Sequence, residues 1–244
     1  MSEFITNTTA ECIKKSRFEN YPPKVIHKAK ECILDSFACM FGGIISREGS
    51  ILLKSLLFEE KGTTSIIGYP QKTTLWNSVF INSTSANIMD FDDCFIGHPG
   101  ATIIPPATSL AELLGLSGKD LLTAVIIAYE ISLRIGITLQ PLVTRKKILG
   151  HGTWQVFGST SSACKLLNLP KRDILNAFGI AGANAPVPSV MKTTYGFDGP
   201  TMTKNNFGMA SIVGVQSALL AKNGFTGPRD IFEGETGFWR MIGL

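Results

Sequence analysis

The sequence predicts an all-α protein, a multi-helix bundle with little or no sheet. Apolar residues recur at helical spacing in roughly eight or nine segments, whereas only residues 63–68 are rich in β-branched side chains. The chain has 244 residues, of which 44% are hydrophobic and 17% charged, enough apolar material for a sizeable core. Residues 119–135 are apolar on most of their surface, as expected of a central bundle helix.

The first elements are predicted from caps and breakers. Thr8-Thr9-Ala10-Glu11 fits a capping box and should begin a short helix. Pro22-Pro23 should open a long amphipathic helix, which we expect Gly42-Gly43 to end. Residues 50–61 form a further predicted helix, and 63–68 should be an isolated short strand or an extended linker.

The middle of the chain continues the helical pattern. Residues 75–89 form a predicted helix that leads into an acidic turn at 90–100. Pro105-Pro106 are expected in the first turn of the next helix, and the central helix 119–135 follows.

The second half contains a helix made for close packing. Residues 153–167 include many Gly, Ser, Thr and Ala side chains, which would let a partner helix approach closely. Pro170 should begin another helix that ends near Ala181. The irregular stretch 183–203 is long for a loop in a compact domain, and such loops are usually functional or disordered. A last long helix is predicted at 208–222.

Composition argues against several classes of protein. The formal charge of +4 is modest and the basic residues are scattered, so we expect no nucleic-acid partner. The first fifteen residues lack the apolar core of a signal peptide, and the longest apolar run, 121–131, is too short to span a bilayer. The five cysteines form no CxxC pair, which predicts reduced thiols, mostly in the core, of a cytoplasmic protein.

The acidic turn 90–100 is the first candidate site. It contains the carboxylates Asp90, Asp92 and Asp93, followed by His98. Pro99 keeps His98 out of the helical region, so the imidazole would be held stiffly beside the acids. This arrangement suits acid–base chemistry near neutral pH. The alternative is a helix-capping loop in which the Asp side chains accept backbone N–H bonds and His98 is simply exposed.

A second histidine, His151, lies between Gly150 and Gly152 at another predicted helix entrance. His98 and His151 would be neighbours if both entrances open at the same end of the bundle. The sequence lacks HxH, HExxH and ExxH spacings, so we expect no metal at this site. It also lacks a GxSxG elbow, which argues against nucleophilic hydrolysis, and it matches neither a dinucleotide fingerprint nor a phosphate loop.

A set of short motifs in a fixed order resembles the MmgE/PrpD family. The motifs are Asp90-Phe91-Asp92-Asp93, His98-Pro99-Gly100, Gly150-His151-Gly152, Lys204 before Gly208, and Ala221-Lys222-Asn223-Gly224-Phe225-Thr226-Gly227-Pro228. The resemblance extends from about residue 8 to residue 238.

The resemblance implies a large helical domain, here residues 1–240, and a smaller α+β domain that closes over it. We expect the smaller domain to lie outside this sequence: the sequence is a truncated gene product, or a second polypeptide supplies the rest, or the sequence is a piece of a longer protein. The family implies a homodimer without metal or organic cofactor, and small di- or tricarboxylate substrates.

The resemblance also implies roles for individual residues. Asp90, His98 and His151 match catalytic positions, and Lys204 matches a lysine that binds substrate carboxylates. Cys94 matches a position that lines the pocket, where the decarboxylase branch carries threonine. We predict that Cys94 and Asp93 also contact the substrate.

Two functions from different classes follow. The first is a lyase, or a subunit of one, that dehydrates or decarboxylates a small carboxylate such as 2-methylcitrate or cis-aconitate, with histidines moving the protons. The second is a non-catalytic helical domain retained for assembly or ligand binding, which would need a separate chain for activity.

Overall fold

A computed structural model describes residues 4–57, 61–146, 150–187, 189–197 and 199–243. The first half contains helices α1 Ile5–Lys15, α2 Pro23–Ile44, α3 Arg47–Leu56, α4 Leu75–Ile88, α5 Pro99–Leu114 and α6 Gly118–Lys146. The second half contains helices α7 Gly152–Leu166, α8 Lys171–Ala183, α9 Val190–Thr193, α10 Phe207–Lys222 and α11 Phe238–Met241. Strands β1 Thr64–Ile66 and β2 Tyr69–Thr73 form an antiparallel hairpin. The predicted all-α class with little sheet is confirmed.

The first helix begins earlier than its apparent capping box. Helix α1 starts at Ile5, and Thr8 lies inside it with its hydroxyl bonded to the Phe4 carbonyl. The cap comes from the far end of the chain, because the Glu233 carboxylate accepts hydrogen bonds from the Thr6 amide at 2.7 Å and the Thr6 hydroxyl at 2.6 Å. A carboxylate at a helix N-terminus is stabilising wherever it lies in the sequence, so local spacing placed this boundary wrongly.

Glycines and prolines also act differently from their predicted roles as boundaries. Helix α2 opens at Pro23 as predicted but continues through Gly42-Gly43 to Ile44. Gly43 serves packing instead, because any Cβ there would overlap the backbone of Ser85 on α4. Helix α5 begins at Pro99, so Pro105-Pro106 lie in its interior and not in its first turn.

Other predictions about single elements need adjustment. Residues 64–66 are not an isolated strand, because β2 pairs with them. Helix α3 begins at Arg47, after a Ser46 side-chain cap, and not at residue 50. The cysteines are all free thiols, but only Cys164 is buried, so the expectation of mostly core thiols is wrong.

Helix α7 lies at the centre of the bundle. Nearly all of its side chains are buried, and it packs against α5, α6, α8 and α10. Its small residues permit the predicted close approach: the Ser159 hydroxyl reaches the Ala210 carbonyl of α10 at 3.1 Å, and a Cβ on Gly214 would overlap Ser159. The α7–α10 contact therefore depends on small side chains on both helices.

Helix α6 is longer than the apolar run that marked it in the sequence. By length and composition, its part Gly118–Leu139 could cross a membrane, yet just over half of that part is buried against the bundle. A buried core helix passes the same test, so this segment is weak support for a membrane span.

Four helix ends meet at one end of the bundle. The C-terminus of α4 and the N-termini of α5, α7 and α10 converge there, bringing the acidic turn, His151 and Lys204 together. Both histidine-bearing entrances therefore open at the same end, which is the condition that the sequence left open.

Candidate active site

The backbone is strained around the candidate site. In the part of the chain that the structure describes, Asp90, Ile96 and Asn206 have φ values of 57°, 52° and 55°, and Gly97 has 104°. Left-handed backbone at non-glycine residues is uncommon and costs free energy, and it concentrates at functional sites. The acidic turn and the residues after Lys204 are thus held in a conformation that surrounding contacts must enforce.

His98 is the residue immediately before helix α5. Its φ of −121° and ψ of 75° lie outside the helical region, as expected for a residue before proline. Its Nδ1 lies 3.2 Å from Oδ1 of Asp92, and its Nε2 lies 3.5 Å from Oδ1 of Asp90. The imidazole is 12% exposed and has a carboxylate on each nitrogen. It is not the exposed side chain of a plain capping loop.

Asp92, a member of the acidic turn to which no catalytic or binding role was assigned from the sequence, is the carboxylate nearest to His98. Its side chain is only 1% exposed, and Oδ1 also accepts a hydrogen bond of 2.7 Å from the Asn87 amide. Three acids within four residues cannot be ranked by pattern alone. The ranking depends on which of them the backbone turns inward.

Asp93 ties the turn to the bundle. One oxygen accepts from the Gly100 amide at 2.9 Å, and the other accepts from the Tyr129 hydroxyl of α6 at 2.8 Å. Both oxygens thus serve the protein's own structure, and the substrate-binding role of Asp93 stays a prediction. The same holds for Cys94, whose side chain is exposed.

His151 is the residue before helix α7, and its ring lies 5.7 Å from that of His98, centroid to centroid. It also packs edge-on against Trp154 at 5.2 Å. Gly97 makes this packing possible, because a Cβ there would lie 3.1 Å from Cγ and Nδ1 of His151 and 3.0 Å from Nε2 of Gln155. Within the described residues, the buried Nδ1 of His151 has no hydrogen-bond partner.

Lys204 completes the group. It begins a short 3-10 turn before α10, and its Nζ lies 2.6 Å from Oδ2 of Asp90. The side chain is 23% exposed, whereas that of Asp90 is 51% exposed. Asp90 thus bridges the cation of Lys204 and the imidazole of His98 at the solvent-accessible edge of the site.

The two histidines have opposite pKa shifts. Burial lowers the pKa of His98, but the carboxylates of Asp92 and Asp90 outweigh it, so that the pKa is raised above the ordinary histidine value. Burial lowers the pKa of His151 to about 4, assisted by the positive charges of His98 and Lys204. The two shifts therefore favour the protonated form of His98 and the neutral form of His151. Titrating neighbours with divergent pKa values are typical of acid–base pairs.

The pKa of the Asp90 carboxyl group is lowered by its positively charged partners. Burial raises its pKa, but the Lys204 ammonium and the His98 imidazole outweigh burial, so the pKa is lowered. Asp90 is therefore anionic near neutral pH.

A cavity of about 460 Å³ adjoins the Asp90–Lys204 pair. Its walls include the apolar side chains of Ile51, Leu52 and Phe80. Space for a small molecule thus exists beside Asp90 and Lys204, and neither imidazole is among the described residues that line it.

The site could also be considered for a cation. One ligand atom each from Asp90, Asp92 and His98 lies within 4.8 Å of the others. The Lys204 ammonium already compensates the Asp90 charge, and the two carboxylates face different nitrogens of one imidazole. We therefore describe these three residues as an ion-pair network and not as metal ligands.

Fold and site together define a helical domain with a paired-histidine site next to a lysine. A family model for the MmgE/PrpD N-terminal domain matches residues 7–243, and the chain belongs to that family.

Curated relatives resemble the chain over nearly all of its length. It is 27% identical to the cis-aconitate decarboxylase of Homo sapiens over 98% of the chain and 50% of that protein. It is 28% identical to the cis-aconitate decarboxylase-like protein oryM of Aspergillus oryzae, over 93% of the chain and 49% of that protein. The cis-aconitate decarboxylase of Aspergillus terreus is 27% identical, over 92% and 47%. The chain spans about half the length of the curated relatives it matches.

Proposed function

We propose that this chain carries the acid–base half of a lyase site that acts on a small di- or tricarboxylate, such as cis-aconitate or 2-methylcitrate. The observation that carries the proposal is the pair of imidazoles 5.7 Å apart whose pKa values are shifted in opposite directions. The names of the curated relatives support the substrate class.

The two imidazoles suit the two proton transfers of such a reaction. Neutral His151 accepts the proton from the carbon next to a substrate carboxylate. That removal belongs to a dehydration, in which the protonated form of His98 donates a proton to the departing hydroxyl. A decarboxylation removes no C–H proton: the bond to the carboxylate carbon breaks, carbon dioxide leaves, and His98 donates the one proton that the resulting carbanion takes up. The directions of the two pKa shifts favour the form that each step requires, neutral for His151 and protonated for His98.

Lys204 and Asp90 bind and orient the substrate. The ammonium group of Lys204 is the site's cation for a substrate carboxylate, which would share or replace Asp90 as its partner. Asp90 then remains beside Nε2 of His98 and stabilises its charged form. The exposed half of Asp90 leaves this exchange open to a ligand that arrives from the adjoining cavity.

We further propose that the active assembly contains more than this sequence. Its curated relatives are about twice as long, so a second polypeptide segment, in the same or a separate chain, would close the site. A homodimer, absence of a cofactor and a cytoplasmic location remain part of this proposal.

The test is turnover of a defined panel of carboxylates. Purified chain is incubated with cis-aconitate, citrate, 2-methylcitrate and iminodisuccinate, alone and with the product of any adjacent reading frame, and products are followed by ¹H NMR. We expect loss of about 10²-fold or more in rate for His98→Gln and for His151→Gln. His27→Gln is the matched control, because His27 is 76% exposed on α2. Equal activity of all three variants would refute the acid–base assignment, and inertness with every partner would favour a non-catalytic domain.

A further inference from the structure

Asp92 is the most deeply buried acid of the network. Its side chain is 1% exposed, whereas that of Asp90 is 51% exposed. A buried carboxylate is costly unless it is paired and hydrogen-bonded. Its Oδ1 accepts a hydrogen bond from the Asn87 amide and lies 3.2 Å from Nδ1 of His98. That contact is a close approach of charge and not an aligned hydrogen bond, since among the described residues neither Oδ2 nor Nδ1 of His98 has a hydrogen-bond partner.

The contact with Asp92 distinguishes the two nitrogens of His98. Nδ1 lies 3.2 Å from the buried Asp92, while Nε2 lies 3.5 Å from the half-exposed Asp90. A buried carboxylate facing Nδ1 favours a proton there in both charge states of the ring. Nε2 is then the nitrogen whose proton can leave and return, and it is the nitrogen on the solvent-accessible side.

Asn87 fixes the carboxylate in turn. It lies in the last turn of α4, is 6% exposed, and donates its 2.7 Å hydrogen bond from a helix end that tertiary packing holds in place. A rigid helix thus orients the acid, and the acid orients the imidazole.

We propose that Asp92, held by Asn87, is a positioning residue that fixes the ring orientation and the Nδ1–H tautomer of His98, so that Nε2 is the proton-donating atom. The consequence for catalysis rests on the proposed function, whereas the effect on the imidazole does not.

Few charged or titratable groups among the described residues face His98, so a change in its titration midpoint can be assigned to one of them. They are Asp92 and Asp90 from the acidic turn, Lys204 from the segment before α10, and His151 from the start of α7. The Phe207 ring, 5.9 Å away, is uncharged. Removing the Asp92 charge should therefore leave Asp90 as the single carboxylate partner of the ring.

The first experiment uses the unmodified chain. Long-range ¹H–¹⁵N spectra of its histidines, assigned with His→Gln variants, report the tautomer of His98 above its titration midpoint. We expect the Nδ1–H form. An Nε2–H form would overturn the proposal, and this measurement does not depend on any variant at Asp92 folding.

The second experiment compares Asp92→Asn with Asp93→Asn. Both exchange a carboxylate for an amide of equal size in the same turn, but Asp93 contacts Tyr129 and Gly100 instead of His98. Asp92→Asn should move the His98 titration midpoint from above the ordinary histidine value to that value or below, and Asp93→Asn should leave it in place. An unchanged midpoint in Asp92→Asn, or an equal fall in both variants, would overturn the proposal.

Kinetics then separate positioning from binding. With any substrate that the chain turns over, Asp92→Asn should lower kcat about 10-fold or more with little change in KM. If the NMR results hold and no substrate is turned over, the positioning role stands and the proposed lyase function falls. If turnover is found and the midpoint does not move, the proposed function stands and the positioning role falls.

Discussion

His98 and His151 occupy equivalent places in the fold and have opposite properties. Each is the residue before a helix, His98 before α5 and His151 before α7, and their rings lie 5.7 Å apart. The positive end of a helix dipole disfavours a protonated imidazole at both places. Two carboxylates overcome burial at His98, whereas His151 has burial and two nearby positive charges acting in the same direction.

The comparison teaches that charge state here comes from long-range partners and not from the local motif. Both histidines follow glycine, and both are followed by a residue that favours a helix start or a bend. Local sequence thus places two imidazoles similarly, while the neighbouring acids raise the pKa of His98 and burial lowers that of His151.

The largest expected effect is on stability in acid. His151 has a folded pKa of about 4, below the ordinary value of 6.5, so its contribution is complete above pH 6.5 and is lost as the pH falls toward 4. The loss is on the order of 3 kcal/mol at pH 4. Urea unfolding of wild type and His151→Gln should show that the variant lacks this part of the acid sensitivity.

The control for this prediction is the other histidine, for which the sign is reversed. The pKa of His98 is raised in the folded state, so its contribution is present below pH 6.5 and is lost as the pH rises through the folded pKa. His98→Gln should therefore lose stability relative to wild type mainly at low pH. The comparison fails if both variants change the pH dependence in the same direction.

A smaller effect is expected from disturbing the packing between the two rings. Gly97→Ala adds strain at a φ of 104° and brings a Cβ to 3.1 Å from the His151 ring. Gly115→Ala is the matched control, because Gly115 also has a positive φ, 63°, but open space around it. We expect Gly97→Ala to cost about 1 kcal/mol more than Gly115→Ala in thermal unfolding. Only Gly97→Ala should shift the NMR signals of His151, and equal behaviour of the two variants would show that Gly97 is not a spacer for that ring.

Removing the charge of Lys204 should raise the pKa of both histidines, because the ammonium group lowers each of them. Lys204 is one of the causes that lower the pKa of His151, but burial is the largest. Lys204→Met should therefore raise the His151 midpoint from about 4 while leaving it below the ordinary 6.5. Lys222→Met, at the opposite end of α10, should change nothing at either histidine. A His151 midpoint that stays at its wild-type value would remove Lys204 from the electrostatics of the site.

The smallest expected effect is that of a chelator. Because Lys204 already compensates Asp90, prolonged dialysis against EDTA should leave the His98 titration and any turnover unchanged. A shift that zinc or magnesium restores would instead make Asp90, Asp92 and His98 ligands of a cation.

Much of the helix content was predictable because it is encoded locally. Pro23, the Pro170 cap of α8 and the apolar periodicity of α2 act through their own neighbours in sequence. The boundaries that were wrong depend on distant residues. The carboxylate of Glu233, distant in sequence, caps α1. Gly43 lies inside α2 and does not end it, because the backbone of Ser85 on α4 leaves no room for a Cβ at position 43.

The sequence indicated which residues lie near one another at the candidate site, but not which carboxylate contacts which ring nitrogen. Asp90, His98, His151 and Lys204 were proposed from motif order, and the structure brings them together. Asp92 was missed in favour of Asp93, because the direction of each side chain depends on the left-handed Asp90 at the start of the turn. A single positive φ redirects the residues that follow it, and no periodic pattern records that.

The sequence by itself determined a helical bundle, a stiff acidic turn and two imidazoles at helix entrances, since propensity, proline geometry and residue type act over a few neighbouring positions. Tertiary structure alone decided which carboxylate faces which nitrogen and which imidazole has the raised pKa. Burial and Coulomb energies depend on distances between residues far apart in the chain, and these distances exist only once the four helix ends have packed together.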